Sequence, residues 1–242
     1  MKKDFFEDKK IKFPAYEPWI SDEDKKIVKK TLTQSMLTLG PQLEKFENDF
    51  CKYSKAKYAV AVSNCTAALH LSLMALGIKK DDEVIIPDLT FVADANAILA
   101  CNAKPVIVDI NKENFFLSIS NIKKNITKKT KAIIPVHIYG QVCNIEEILD
   151  VAKDNNLKVI EDCAHAVGTF HKSKHVGTLG NTGCFSFYPT KNITTAEGGM
   201  VITNSEKIAE KVRQLRNHGM TKSLKSRYSS EYPWIFDIKH GN

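Results

Sequence analysis

The sequence predicts an α/β protein built on a mostly parallel, mixed sheet of about seven strands with helices on both faces. Three observations carry that prediction. Short apolar runs of four to six residues recur between Tyr58 and Thr203. Helix-forming stretches with their own start and stop signals separate several of these runs, and helical crossovers impose parallel pairing. The runs are continuously apolar, as strands covered on both faces must be, rather than alternating polar and apolar.

The elements follow in order. A charged lead-in precedes a first helix that begins near Asp22, behind the N-cap candidate Ser21 and with acidic residues in its first turn. In "GPQLEKFENDFCKYS", Pro41 takes a first helical position and Leu43, Phe46 and Phe50 share a face, so a second helix follows. Both read as surface helices leading into the main domain. The strands are "YAVAV" (58–62), "EVIIP" (83–87), "PVIVD" (105–109), "KAIIPV" (131–136), "KVIED" (158–162), "GCFSF" (183–187) and "GMVIT" (199–203). "TAALHLSLMALG" reads as a helix closed by Gly77, and "NIEEILDVAKDNN" as one opened by Asn144 with Glu147 in capping-box spacing. A loop rather than a helix joins the last two strands, so one of them can be antiparallel. The implied division is a lead-in with helices over 1–57, a large domain over 58–220 and the start of a C-terminal region over 221–242.

Bulk properties narrow the function classes. With 43% hydrophobic and 26% charged residues, the 242-residue chain has the composition of an ordinary globular protein. The N-terminus lacks the apolar run of a signal peptide, and no stretch reaches the roughly 18 apolar residues of a membrane span, so a cytoplasmic protein without a membrane partner is expected. The six cysteines include no C-x-x-C pair and do not cluster with histidines, which argues against structural zinc and a disulfide framework. The net charge of +7 favours an anionic partner. Its basic residues are spread along the chain rather than gathered into a stripe, which fits a phosphorylated small molecule and not nucleic acid.

In sheets of this kind, ligands bind beyond the carboxyl ends of the strands. There the first run meets "SNCTAAL", small polar residues opening an apolar helix: either a phosphate seat, with the Thr66 hydroxyl adding a bond, or an ordinary N-cap. The second run ends in "PDLTFVADANAI", where Phe91 can stack on a planar ligand or serve the core. The fifth ends in "VIEDCAHAVG". A buried Asp162 there needs a cation opposite it, and His165 can lie over the same crevice. Glu161 and Asp162 cannot work as a glycosidase-like pair, because adjacent strand residues point to opposite faces. In "CFSFYPTK", Phe185 and Phe187 enter the core, Ser186 faces the crevice, and Lys191 follows in the loop. A phosphate seat, a flat aromatic, an acid in need of a cation, a hydroxyl and a lysine are together the parts that hold pyridoxal 5'-phosphate. Gly198 and Gly199 give the chain room for a close approach to that group.

Taken in order, "SNCTAALHLSLMALGI", "DDEVIIPDLTFVADANAI", "KPVIVDI", "IIPVHIYGQ", "VIEDCAHAVG" and "GCFSFYPTKNITTAEGGMVIT" resemble the DegT/DnrJ/StrS-type aminotransferases. The resemblance runs from about Pro18 to "LRNHGMTK". It implies the aspartate-aminotransferase fold, usually assembled as a homodimer. It further implies that Lys191 carries the cofactor covalently, Asp162 pairs with its pyridine nitrogen, and His165 lies beside and Phe91 stacks on the ring. Thr66, the Ala67 backbone amide and Ser186 would hold the phosphate. The implied reaction moves an amino group from an amino acid, typically glutamate, to a nucleotide-linked keto-sugar, as in amino-sugar or surface polysaccharide biosynthesis. Cys65 and Asp81 stand where similar proteins commonly have glycine. The related dehydratases carry a histidine in place of the lysine, so the presence of Lys191 speaks against that branch. Similar proteins continue past Asn242 into a smaller C-terminal domain. A truncated, catalytically silent binding protein is therefore the alternative expectation.

Overall fold

The computed structural model of the chain describes residues 16–221 and Ile238. Helix α1 (Asp22–Thr31) starts where expected, with Ser21 and Asp24 forming a reciprocal capping box, and none of its residues is buried. Helix α2 (Pro41–Ser54) has Pro41 in its first turn. It is more than a surface helix. Phe50 is buried, with its ring centroid 5.1 Å from that of Phe185 and 5.8 Å from that of Phe187.

The main sheet contains β1 (Tyr58–Val62), β2 (Glu83–Pro87), β3 (Lys104–Val108), β4 (Thr130–Ile133) and β5 (Lys158–Asp162). A small antiparallel hairpin, β6 (Phe170–His171) with β7 (Lys174–His175), lies outside it and was not anticipated. Strands β8 (Thr182–Ser186) and β9 (Gly199–Thr203) complete the sheet. The order is β1-β9-β8-β5-β4-β2-β3, seven strands as expected. Strand β9 runs antiparallel to both β1 and β8, and the remaining pairs are parallel. The loop connection between β8 and β9 is what permits the reversal.

Helices α3 (Cys65–Ala75), α4 (Ala93–Ala100) and α7 (Glu206–Arg216) cover one face, where Leu69, Leu73 and Ile98 pack on Val60, Val84, Ile86 and Val201. Helices α5 (Ile119–Asn125) and α6 (Ile145–Asp154) cover the other, where Ile122 and Ile148 meet Ile85, Ile133 and Val159. The opposed destinations of Ile85 and Ile86 are the two-residue strand period at work. Asn144 precedes α6 as predicted, but its side chain makes no capping bond, so the expected capping box with Glu147 does not form. Helix α3 closes at Gly77, whose φ of 84° is the left-handed turn that glycine permits. Asp81 also has a positive φ, 68°, a conformation that glycine adopts freely and aspartate tolerates better than most. The carboxyl ends of β1, β2, β4, β5 and β8 share one edge, and the reversed β9 contributes Gly199 to that same edge, opposite Val62 and Ser186. Among the described residues, no helix is long and apolar enough to cross a membrane. Of the expected 221–242 region, only Thr221 and Ile238 lie within the described residues.

Candidate active site

Asp162 ends β5 at the shared edge and is buried. Its Oδ1 accepts the Ala164 N–H at 2.8 Å. Burial raises its carboxyl above the usual carboxylate range, while the Ala164 N–H, His137 and Lys191 pull it back. Lys191, in the loop after β8, is therefore within electrostatic reach of Asp162. Burial lowers the Lys191 ammonium from its ordinary value and Asp162 opposes that shift. Lys191 acts on Asp162 at longer range than a direct ion pair.

His165 is half-buried, and burial first and Lys191 second lower its affinity for a proton. The thiol of Cys65, at the first position of α3, is pushed well up by burial and by Asp162, with Lys191 opposing. It stays protonated and is no nucleophile. Asp162, Lys191, His165 and the start of α3 thus lie within electrostatic reach of one another beyond the strand ends.

The turn from β1 into α3 combines both sequence alternatives. Asn64 caps the helix, with its Oδ1 accepting the Ala67 N–H at 2.8 Å, so the Ala67 amide is already engaged and a phosphate would have to displace the Asn64 side chain. Thr66 is exposed, and the first-turn N–H groups of Cys65 and Thr66 lack intrahelical acceptors by geometry. Gly199 lies directly beneath this turn, where a Cβ would sit 2.8 Å from the Cys65 nitrogen. The room offered by that glycine is used against the α3 turn itself. Ser186 is buried, with its Oγ accepting the Tyr188 N–H at 3.4 Å, and Phe185 and Phe187 fill the core on the opposite face as expected. Phe91 lies two residues before α4 with 75% of its surface exposed, which leaves its ring available to a ligand.

Glu161 points away from Asp162, as strand geometry requires. Its fully buried carboxylate accepts the N–H groups of Gly177 at 2.7 Å, Leu179 at 2.8 Å and Gly180 at 2.6 Å, with His137 Nε2 at 3.0 Å. The ligand atoms of His137, Glu161 and Cys163 lie within 4.8 Å of one another. Both imidazole nitrogens and both carboxylate oxygens are already hydrogen-bonded, since His137 Nδ1 accepts the Cys143 N–H at 3.3 Å. Burial also pushes the Cys163 thiol well up. The cluster is a clamp on the 177–180 loop, which buttresses the strand carrying Asp162.

Sequence reasoning missed Asp94. It is fully buried in the first turn of α4, accepts the Thr90 hydroxyl at 2.5 Å on Oδ2, and leaves Oδ1 without a partner among the described residues. Burial raises its carboxyl well above the usual range and the Asp162 carboxylate adds to the shift. A lone acid inside the apolar stretch "FVADANAILA" was the available signal.

Comparison with known proteins identifies the family. The family model of the DegT/DnrJ/EryC1/StrS aminotransferases matches residues 18–239. The uncharacterized protein MJ1066 of Methanocaldococcus jannaschii is 50% identical over 93% of this chain and 58% of its own length. The GDP-perosamine synthase of Escherichia coli O157:H7 is 45% identical over 86% of this chain and 57% of its own length. The PLP form of Spr1654 from Streptococcus pneumoniae superposes with a TM-score of 0.86 at 29% identity, covering 95% of this chain and 61% of that one. The chain thus spans somewhat over half the length of the relatives it matches. Family match, sequence identity and fold agree: the chain belongs to the DegT/DnrJ/EryC1/StrS aminotransferase family.

Proposed function

We propose that this chain carries the cofactor-holding part of a pyridoxal-phosphate-dependent aminotransferase that moves nitrogen from an amino acid, with glutamate the expected donor, to a nucleotide-linked keto-sugar. The observation that carries the reading is the placement of Lys191 within electrostatic reach of the buried Asp162 at the carboxyl edge of the sheet. The donor set fits the group. It combines the Lys191 amine, the buried acid Asp162 within its electrostatic reach, an exposed ring at Phe91, and an anion seat drawn from the α3 turn, Thr66 and Ser186. The Ala67 amide joins that seat if Asn64 gives way. When bound, pyridoxal phosphate supplies an electron sink for the carbon next to the transferred nitrogen.

The protein's own residues do the rest. Lys191 Nζ is the amine that would hold the group and the base that takes up and returns a proton. Its burial-lowered proton affinity suits both tasks. Asp162 would hold the pyridine nitrogen protonated, because an ionised carboxylate in a dry site raises the pKa of a cation opposite it. His165, beside Lys191, would contact the ring edge. Amino-sugar or surface polysaccharide synthesis is the setting that the GDP-perosamine synthase and spore coat polysaccharide biosynthesis relatives support, and a cytoplasmic homodimer is what the family resemblance implies.

Titration with pyridoxal phosphate, followed by absorbance, tests the reading. The wild-type chain is expected to gain a visible band that Lys191→Ala does not, and Asp162→Asn to bind more weakly. Adding glutamate should bleach the band and release 2-oxoglutarate, with further turnover once a keto-sugar nucleotide is present. A band of equal strength in Lys191→Ala, or none in the wild type, would sink the proposal.

A further inference from the structure

The segment "HIYGQ" between β4 and α6 folds into a short 3-10 turn, Ile138–Gly140, with two successive left-handed residues: Tyr139 at φ 51° and Gly140 at φ 80°. A tyrosine in that region of backbone space is strained, and strain of this kind persists only where the surroundings hold it. Several bonds do so. His137 N–H donates to the Asp162 carbonyl at 3.0 Å, Gly140 N–H donates to the His137 carbonyl at 3.3 Å, and Thr169 Oγ1 donates to the Gly140 carbonyl at 3.1 Å.

The conformation places both the backbone and the ring of Tyr139 on His165. The Tyr139 N–H donates to His165 Nδ1 at 3.3 Å. The two rings stack with centroids 5.4 Å apart and planes inclined by 15°. Yet 81% of the Tyr139 surface is exposed, so burial of its own apolar area does not account for the arrangement. Nothing in the hydrophobic core holds this ring in place.

We infer that Tyr139 is a positioning residue that fixes His165 as the neutral Nε2–H tautomer, leaving that donor without a partner among the described residues. An Nδ1 that accepts a backbone N–H cannot carry the ring proton, so the proton resides on Nε2. The charged group acting on the imidazole is Lys191, and both it and burial oppose a second proton. His165 therefore offers a ligand oxygen a donor and adds no charge of its own, which leaves Asp162 and Lys191 as the charged groups acting on one another there. The inference deepens the site proposed above, but the tautomer is a property of the protein alone.

The test is nitrogen-15 NMR of the imidazole rings in the cofactor-free chain, with His165→Gln used to assign the His165 signals. In the wild type, His165 should show an unprotonated Nδ1 and a protonated Nε2 through neutral pH. Tyr139→Phe, which keeps the ring, should match it. Tyr139→Ala, which keeps the backbone N–H but loses the stacked ring, should loosen the His165 ring and raise its titration midpoint toward that of an exposed histidine. It should also weaken pyridoxal phosphate binding by no more than about tenfold, the most that the energy of one aromatic stack can supply. A protonated Nδ1 in the wild type overturns the inference whether or not Tyr139→Ala folds. Unchanged His165 signals in a folded Tyr139→Ala overturn the positioning role. If the inference holds but no cofactor band forms in the wild type, the proposed function fails and the tautomer assignment stands.

Discussion

Removing the Glu161 carboxylate should destabilise the protein more than any change in the crevice. Three backbone N–H groups and the His137 ring nitrogen converge on its two oxygens at 2.6 to 3.0 Å, and the side chain is fully buried. Each buried donor left without an acceptor costs about 1–3 kcal/mol. Water could re-enter to satisfy some of them, so Glu161→Ala is expected to cost at least about 4 kcal/mol, a large share of the roughly 5–15 kcal/mol of a whole domain. Glu161→Gln keeps one accepting oxygen but turns an amide N–H₂ toward other donors, and should cost about 2–3 kcal/mol. Urea unfolding at unchanged slope measures both. Hydrogen exchange localises the effect, since the amides of Gly177, Leu179 and Gly180 should lose protection first. An Ala variant within about 1 kcal/mol of wild type, or intact protection of those three amides, would refute the reading of Glu161 as a loop clamp.

Gly199→Ala should lower stability by about 1–3 kcal/mol and weaken phosphate-ligand binding, because the new methyl presses on the backbone of Asn64 and Cys65; unchanged melting and binding would count against the close approach described. Phe187→Ala should cost about 3–5 kcal/mol in denaturant unfolding, since it opens a cavity beneath Phe46 and Phe50. Asp94 gives a pH signature. Its folded pKa is raised above the unfolded carboxylate value of about 4, so the folded state binds the proton more tightly. The associated stability is present below about pH 4 and is lost as pH rises toward the folded value. Asp94→Asn should flatten that decline in pH-dependent unfolding without abolishing it, because Asp162 shifts in the same direction; parallel wild-type and variant curves would show that Asp94 does not hold the proton.

Much of this protein is legible in its sequence because the signals are local. The seven apolar runs, the Ser21 capping box, Pro41 at a helix start and Gly77 at a helix end each depend on residues a few positions apart. The strand period alone separates Glu161 from Asp162, and the demand of a buried acid for a cation points to Lys191 from the sequence alone. The tertiary structure decided what depends on partners distant in the chain. The direction of β9 rests on pairing with β1, about 140 residues away. The role of α2 rests on Phe185 and Phe187, which no local pattern connects to Phe50. Asn64 occupies the Ala67 amide, Glu161 closes a loop that follows it in sequence, and Tyr139 holds His165 through a left-handed turn. In each case the sequence supplies a group with unmet hydrogen-bonding or packing needs, and only the folded chain determines which neighbour meets them.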